Sequence, residues 1–223
     1  MIDLKRGAEA SRYALLRRLA PAMRHQLAGS FQPVTMMVAI IEKRLKAVSP
    51  DLPAVAKTSS DVRALASAAH RASLDLMGWI APDPEATVPL DTGIDDALNL
   101  LATELSFRGF RCVNETGGVT TPVALHHIRG TAVAALLALT DAAPSQANVR
   151  ITAEREGDVI AVTMALTELA TALNGSQPDE FKVSLASYRQ IEWDDVRAMA
   201  AADDVVLMDS AMTCVLRLPI VSG

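Results

Sequence analysis

The chain has 223 residues, half of them hydrophobic and 21% charged, with a formal net charge of −5. That is ample for a packed core in one large domain or two modest ones, and it excludes disorder as the default. Aromatic residues are only 4%, so the apolar content is mostly Ala, Leu and Val, which suits helices packed closely on each other or on a sheet.

No run approaches the roughly 20 apolar residues that a membrane span requires, and the start, MIDLKRGAEASRY, has no apolar core of the secretory type. A cytoplasmic protein without membrane attachment is expected. Cys112 and Cys214 have no neighbours at metal-ligand spacing and read as small apolar residues in a reducing compartment. Residues 1–50 hold nine Lys and Arg (Lys5, Arg6, Arg12, Arg17, Arg18, Arg24, Lys43, Arg44, Lys46) against Asp3, Glu9 and Glu42. This segment should attract an acidic partner surface, while the overall acidity argues against nucleic acid.

From about residue 8 to 48, Leu16, Ala20, Met23, Leu27, Phe31, Val34, Val38, Ile41, Leu45 and Val48 recur at spacings of three and four, the stripe of one long helix. Pro21 and Pro33 each remove a backbone hydrogen bond, so a bend near each is expected. Residues 47–53 carry two prolines and form a connection. A second helix over about 55–80 places Val62, Leu65, Ala69, Ala72, Leu76 and Ile80 on one face. Two such helices cannot bury two broad apolar faces as a free hairpin, so a second copy is expected to complete a dimeric four-helix bundle.

Ala81-Pro82-Asp83-Pro84-Glu85 reads as a linker, giving a helical hairpin over 1–82 and a second domain over 86–223. There the pattern predicts helix 93–108, strand 110–115, helix 125–141, strands 148–154 and 158–165, helices 178–187 and 193–202, and strands 204–209 and 212–218, an α/β layer. Glu156-Gly157-Asp158 and Asp209-Ser210-Ala211 are the hairpin turns, and Asp194 and Asp195 sit at a helix start where the dipole favours them. The fold class is α+β.

With Leu27 as the centre of the first stripe and about 100° per residue, His25 falls about 160° away, on the solvent face. Arg18 and Gln32 lie near that face two turns away on either side, and Pro21, Ala22, Ala28 and Gly29 are its nearest neighbours. An exposed imidazole among small residues suits phosphoryl transfer, because a second protein's acidic pocket must reach it without colliding with bulky side chains. Arg18 and Arg24 would steer that pocket or neutralise the phosphoryl group. His70 is read as a solvated histidine, and the adjacent His126 and His127 cannot both face one metal from a helix.

Arg24-His25-Gln26-Leu27-Ala28-Gly29-Ser30-Phe31-Gln32-Pro33-Val34, early in a long helix and followed by a second helix, resembles the phosphoacceptor box of sensor histidine kinases. The remainder resembles their ATPase (Bergerat) domain in element order. Kinases of this type carry an acidic residue directly after the histidine, where this chain has Gln26, which cannot accept a proton at neutral pH. They also carry a magnesium-holding asparagine on an ATPase-domain helix, but none occurs from Ile128 to Asp141. After the strand ending at residue 165, Asn174-Gly175-Ser176 is all that remains of a glycine-rich phosphate loop.

The whole is similar to bacterial histidine phosphotransferases of the ChpT type, with a degenerate ATPase-like domain. That resemblance implies a homodimer in which His25 takes a phosphoryl group from one receiver-domain aspartate and passes it to another, with Arg18, Arg24, Gly29 and Gln32 positioning the partner. It implies no cofactor on this chain and Mg2+ held by the partner receiver. A divergent sensor histidine kinase with autokinase activity, or a non-catalytic receiver-binding scaffold, is the alternative.

Overall fold

The computed structural model describes residues 2–81, 83–168 and 190–221. Its elements are α1 (Ile2–Leu45), α2 (Leu52–Ile80), β1 (Thr87–Pro89), α3 (Leu90–Phe107), β2 (Arg111–Asn114), β3 (Pro122–Ala124), α4 (Leu125–His127), a π-turn (Ile128–Ala132), α5 (Val133–Ala142), β4 (Ala147–Glu156), β5 (Val159–Glu168), α6 (Trp193–Ala202), β6 (Val206–Asp209) and β7 (Thr213–Pro219). The class is α+β, as expected. The expected helix at 178–187 and Asn174-Gly175-Ser176 lie outside the described residues. No helix among the described residues is long and apolar enough to cross a membrane.

The chain divides into two compact units, one of residues 21–81 and one of residues 1–20 with 82–223. The helical unit is therefore shorter at its start than the expected span of 1–82. The long first helix is a single element with both prolines inside it. In the helical unit, α2 begins with Asp51 accepting from the Ala54 amide at 3.0 Å, an N-cap that satisfies one of the free first-turn donors. Arg44 donates to the Ala54 carbonyl at 2.9 Å and to Thr58 Oγ1 at 2.6 Å. These bonds tie the end of α1 to the start of α2 across the expected connection.

In the other unit a five-stranded sheet runs in the order β2-β4-β5-β7-β6, with β2 parallel to β4 and the remaining pairs antiparallel. Alternation assigns one face to the core: Val149 and Ile151, Ile160, Val162 and Met164, Cys214, Leu216 and Leu218 are buried, as period-two geometry requires. α5 is buried from Val133 to Thr140, which explains why its sequence is apolar on every side. α3 buries Ile94, Ala97, Leu101 and Leu105 at helical spacing. It ends in a Schellman turn, with Phe110 N–H on the Leu105 carbonyl and Gly109 N–H on that of Ser106; Gly109 takes φ +78°, a left-handed conformation that favours glycine.

The turn at Glu156-Gly157-Asp158 joins β4 to β5 as the expected hairpin, Glu156 opposite Val159, with Gly157 at φ +64°. The expected helix 125–141 is helical but interrupted by the π-turn. Two strands escaped the sequence pattern, β1 and β3, which pair with each other over three residues, and Val123 of β3 also bridges to Ile220.

The first five turns of α1 close this unit. Ala8, Ser11, Ala14, Leu15, Arg18 and Leu19 are buried, a helical stripe of mostly small residues that permits close approach. Ser11 Oγ donates to Asp195 at 2.9 Å, Arg12 pairs with Asp203 at 2.5 Å, and Arg18 pairs with Glu104 and Asp141. Asp195 also completes a reciprocal capping box with Glu192 at the start of α6, so one carboxylate serves a helix cap and a tertiary contact.

Candidate functional site

In the helical unit, Pro21, Ala22 and Met23 are half-buried, and every residue from Arg24 to Gly29 is exposed. His25 thus stands on an open helix surface, and no hydrogen bond or ion pair engages its imidazole among the described residues. Gln26 is exposed beside it, and its backbone carbonyl accepts from Ser30 Oγ at 2.9 Å. A Cβ on Gly29 would meet no atom within 4 Å. The chain's own packing therefore does not demand glycine there, and what the glycine leaves clear is room outside the helix. Pro33 has no N–H to give the Gly29 carbonyl one turn back, so a polar backbone edge stays open to solvent close to the histidine.

Of the other expected site residues, Arg24 and Gln32 are exposed on α1, available to a partner. Arg18 is not on an open face. Its side chain is 5% exposed, paired with Glu104 and lying 3.4 Å from Asp141. Arg108 completes the cluster, 2.7 Å from Asp141 and 3.5 Å from Glu104. The Arg18 guanidinium is already neutralised by carboxylates that lie far along the chain, so its expected role in positioning a phosphoryl group is corrected to a structural one. Burial pushes the Glu104 carboxyl above its ordinary range, opposed by Arg18 and Arg108.

The apolar residues of α1 and α2 are only partly covered by the single chain. Leu27, Phe31, Val38 and Leu45 are 36–49% exposed, and Leu74, Met77 and Ile80 are more than half exposed. On α1 the first four fall within about 40° of one another, well round the helix from His25. The half-buried residues Met23, Ser30, Val34, Met37 and Ile41 lie to one side of them. Each hairpin thus leaves an unpartnered apolar row and, on another face, an unengaged histidine.

His126 and His127 contact edge to face with centroids 4.3 Å apart. Burial holds His127 below the usual imidazole range, with His126 adding to the effect and Asp203 opposing it. Among the described residues no group of three His, Cys, Asp or Glu side chains is arranged to hold a metal ion. Burial pushes the Cys112 thiol up to about 11 and that of Cys214 up to about 12, so both remain protonated and unreactive near neutrality. His70 is exposed.

No protein-family model and no curated protein matches the chain. Among solved structures, the catalytic domain of the histidine kinase ThkA is similar at 12% identity and a TM-score of 0.43, over 60% of this chain and 95% of that one. The histidine kinase AdeS of Acinetobacter baumannii is similar at 11% identity and 0.45, over 85% and 98%. A bacterial phosphotransferase is similar at 13% identity and 0.39, over 93% and 95%. At such identities and scores the likeness is one of chain trace, and the chemistry has to be argued from this chain's own residues.

Proposed function

We propose that this protein is a histidine phosphotransferase of a two-component phosphorelay. The reading rests on one observation above the others: His25 is exposed, unengaged and bordered by Ala28 and Gly29 on a helical hairpin. A lone pair of the neutral imidazole attacks the phosphorus of a receiver's aspartyl phosphate. The N–P bond forms as the bond from phosphorus to the carboxyl oxygen breaks, and the aspartate leaves as a carboxylate. The reverse step delivers the group to a second receiver. Each receiver contributes the Mg2+ that balances the charge of the transferring group.

ATP has no part in this cycle. Gln26 offers no base beside the histidine, and the helical stretch from Ile128 to Asp141 has no asparagine to hold nucleotide-bound magnesium. Arg24, Gly29 and Gln32 border the contact with the receiver. The exposed row Leu27, Phe31, Val38 and Leu45 is the surface on which a second copy completes a four-helix bundle, since rows of this kind rarely stay open to water.

Incubation with a phosphorylated receiver tests the proposal. Acid-labile, base-stable label should appear on the chain, vanish in His25→Ala and fail to form with ATP and magnesium alone. Self-labelling by ATP would instead make the protein a kinase, and receiver binding indifferent to His25→Ala, without label, would make it a scaffold.

A further inference from the structure

The five-stranded sheet ends at β2, which pairs with β4 on one side and with no strand on the other among the described residues. Glu115 N–H donates to the Ile151 carbonyl of β4 at 2.7 Å. Backbone groups of successive strand residues point to opposite sides, so Arg111 and Val113 serve β4 while Cys112 turns its N–H and carbonyl outward past the edge. Beside that edge lies a trough of about 470 Å³. Leu98, Ala102 and Ser106, at successive i, i+4 positions of α3, line one wall, and Phe110 and Cys112 line the other. Ala102 and Ser106 are short and exposed, which leaves the trough its depth. Beyond one end, Asn114 Nδ2 ties β2 to the start of α3, donating to Asp95 at 2.8 Å and to the Asp91 carbonyl at 3.2 Å. Arg111 lines the trough at the opposite end of β2, exposed and with no ion pair among the described residues. All of these residues belong to one compact unit.

We propose that this trough is a docking site for an extended, acidic segment of a partner protein, which adds to the sheet as a strand beside β2. Three features specify that occupant. The outward N–H and carbonyl of Cys112 call for an extended backbone, because a helix keeps its own groups bonded to itself. Side chains of a strand alternate, so every second residue of the segment enters the trough, where Leu98, Ala102 and Phe110 offer an apolar bed. Arg111 selects for a carboxylate on the segment. A second copy of β2 does not meet the last condition, since Arg111-Cys112-Val113-Asn114 carries a cation and no acid. The inference does not depend on the relay reading, because His25 has no part in it.

The test selects displayed random peptides of about eight residues, a strand's length, on the full chain. Enriched sequences are then synthesised and their binding is followed by fluorescence anisotropy. Apolar residues at alternate positions with at least one Asp or Glu are the expected enrichment. Ser106→Trp fills the trough from an exposed helix position and should weaken binding on the order of tenfold or more. Arg111→Glu should weaken it and remove most of its salt dependence. On the wild-type chain, N-methylation of one alternating set of peptide amides should abolish binding and methylation of the other set should leave it. Absence of enrichment, binding indifferent to Ser106→Trp, or equal tolerance of both methylation patterns overturns the site. If no peptide binds and Ser106→Trp instead lowers the mass of the protein in light scattering, the edge joins two copies of this chain and the proposal falls.

Discussion

Replacing Arg18 with methionine, of similar length but uncharged, leaves Arg108 as the remaining cation beside Asp141 and Glu104 among the described residues. Asp141 is 3% exposed in its side chain and Glu104 20%, so neither regains water when its partner goes. Breaking a buried pair from one side costs about 3–5 kcal/mol when nothing compensates; with Arg108 retained, a loss of about 2–3 kcal/mol is expected. At roughly 2–4 °C per kcal/mol for a chain of this size, the melting temperature should drop by about 5–10 °C. The loss has a pH signature. Arg18 lowers the Glu104 carboxyl against the burial that raises it, so its removal raises that group further. A raised carboxyl contributes stability that is present in acid and lost as pH rises through its folded value. The variant should therefore be closer to wild type in mild acid than at neutrality. Circular dichroism melts across that range provide the measurement. A shift within about 1 °C, or a deficit that grows in acid, would mean that this ion cluster does not fasten the start of α1. Because Arg18 is structural, folded Arg18→Met should still accept label at His25.

Two further perturbations separate packing from chemistry. Phe31→Asp with Val38→Asp places carboxylates in the apolar row of α1, and at about 4 kcal/mol this raises the dimer dissociation constant on the order of a thousandfold. Light scattering should show a dimer for wild type and a single chain for the variant, whereas a single-chain mass for both removes the bundle from the account. His127 is held below its ordinary value of 6.5 by burial. Its contribution to stability is complete above that value and is lost as pH falls toward the folded one, because the unfolded chain then binds the proton first. His127→Phe should flatten the acid side of the stability curve, and an unchanged curve would mean the ring is hydrated.

What could be read in advance divides along physical lines. Spacings of three and four found both helices of the hairpin, but the second begins at Leu52, capped by Asp51 with Pro53 in its first turn, inside the stretch 47–53 that the prolines mark as a connection. Alternation with Gly157 located the β4–β5 hairpin. The exposure of His25 followed from helix geometry alone, since none of the described residues covers that turn. The same geometry failed seven residues earlier. Arg18 shares roughly that face but meets Glu104 and Asp141, 86 and 123 positions away, and no local pattern encodes such partners. The signal that was present lay in Ala8, Ser11 and Ala14, small residues on a second stripe that the more prominent Leu27 stripe obscured. Strands β1 and β3, of three residues each, are too short for any period to register.

The most direct measurement follows phosphate through the protein. One radiolabelled receiver is mixed with a second, unphosphorylated receiver, with no ATP present, and the second is assayed for label over time. The account expects label to reach the second receiver only when the wild-type chain is added, in catalytic amount, with phosphohistidine at His25 as the transient carrier. Equal passage with His25→Ala, or label carried at any other residue of the chain, would show that the exposed imidazole is not the relay.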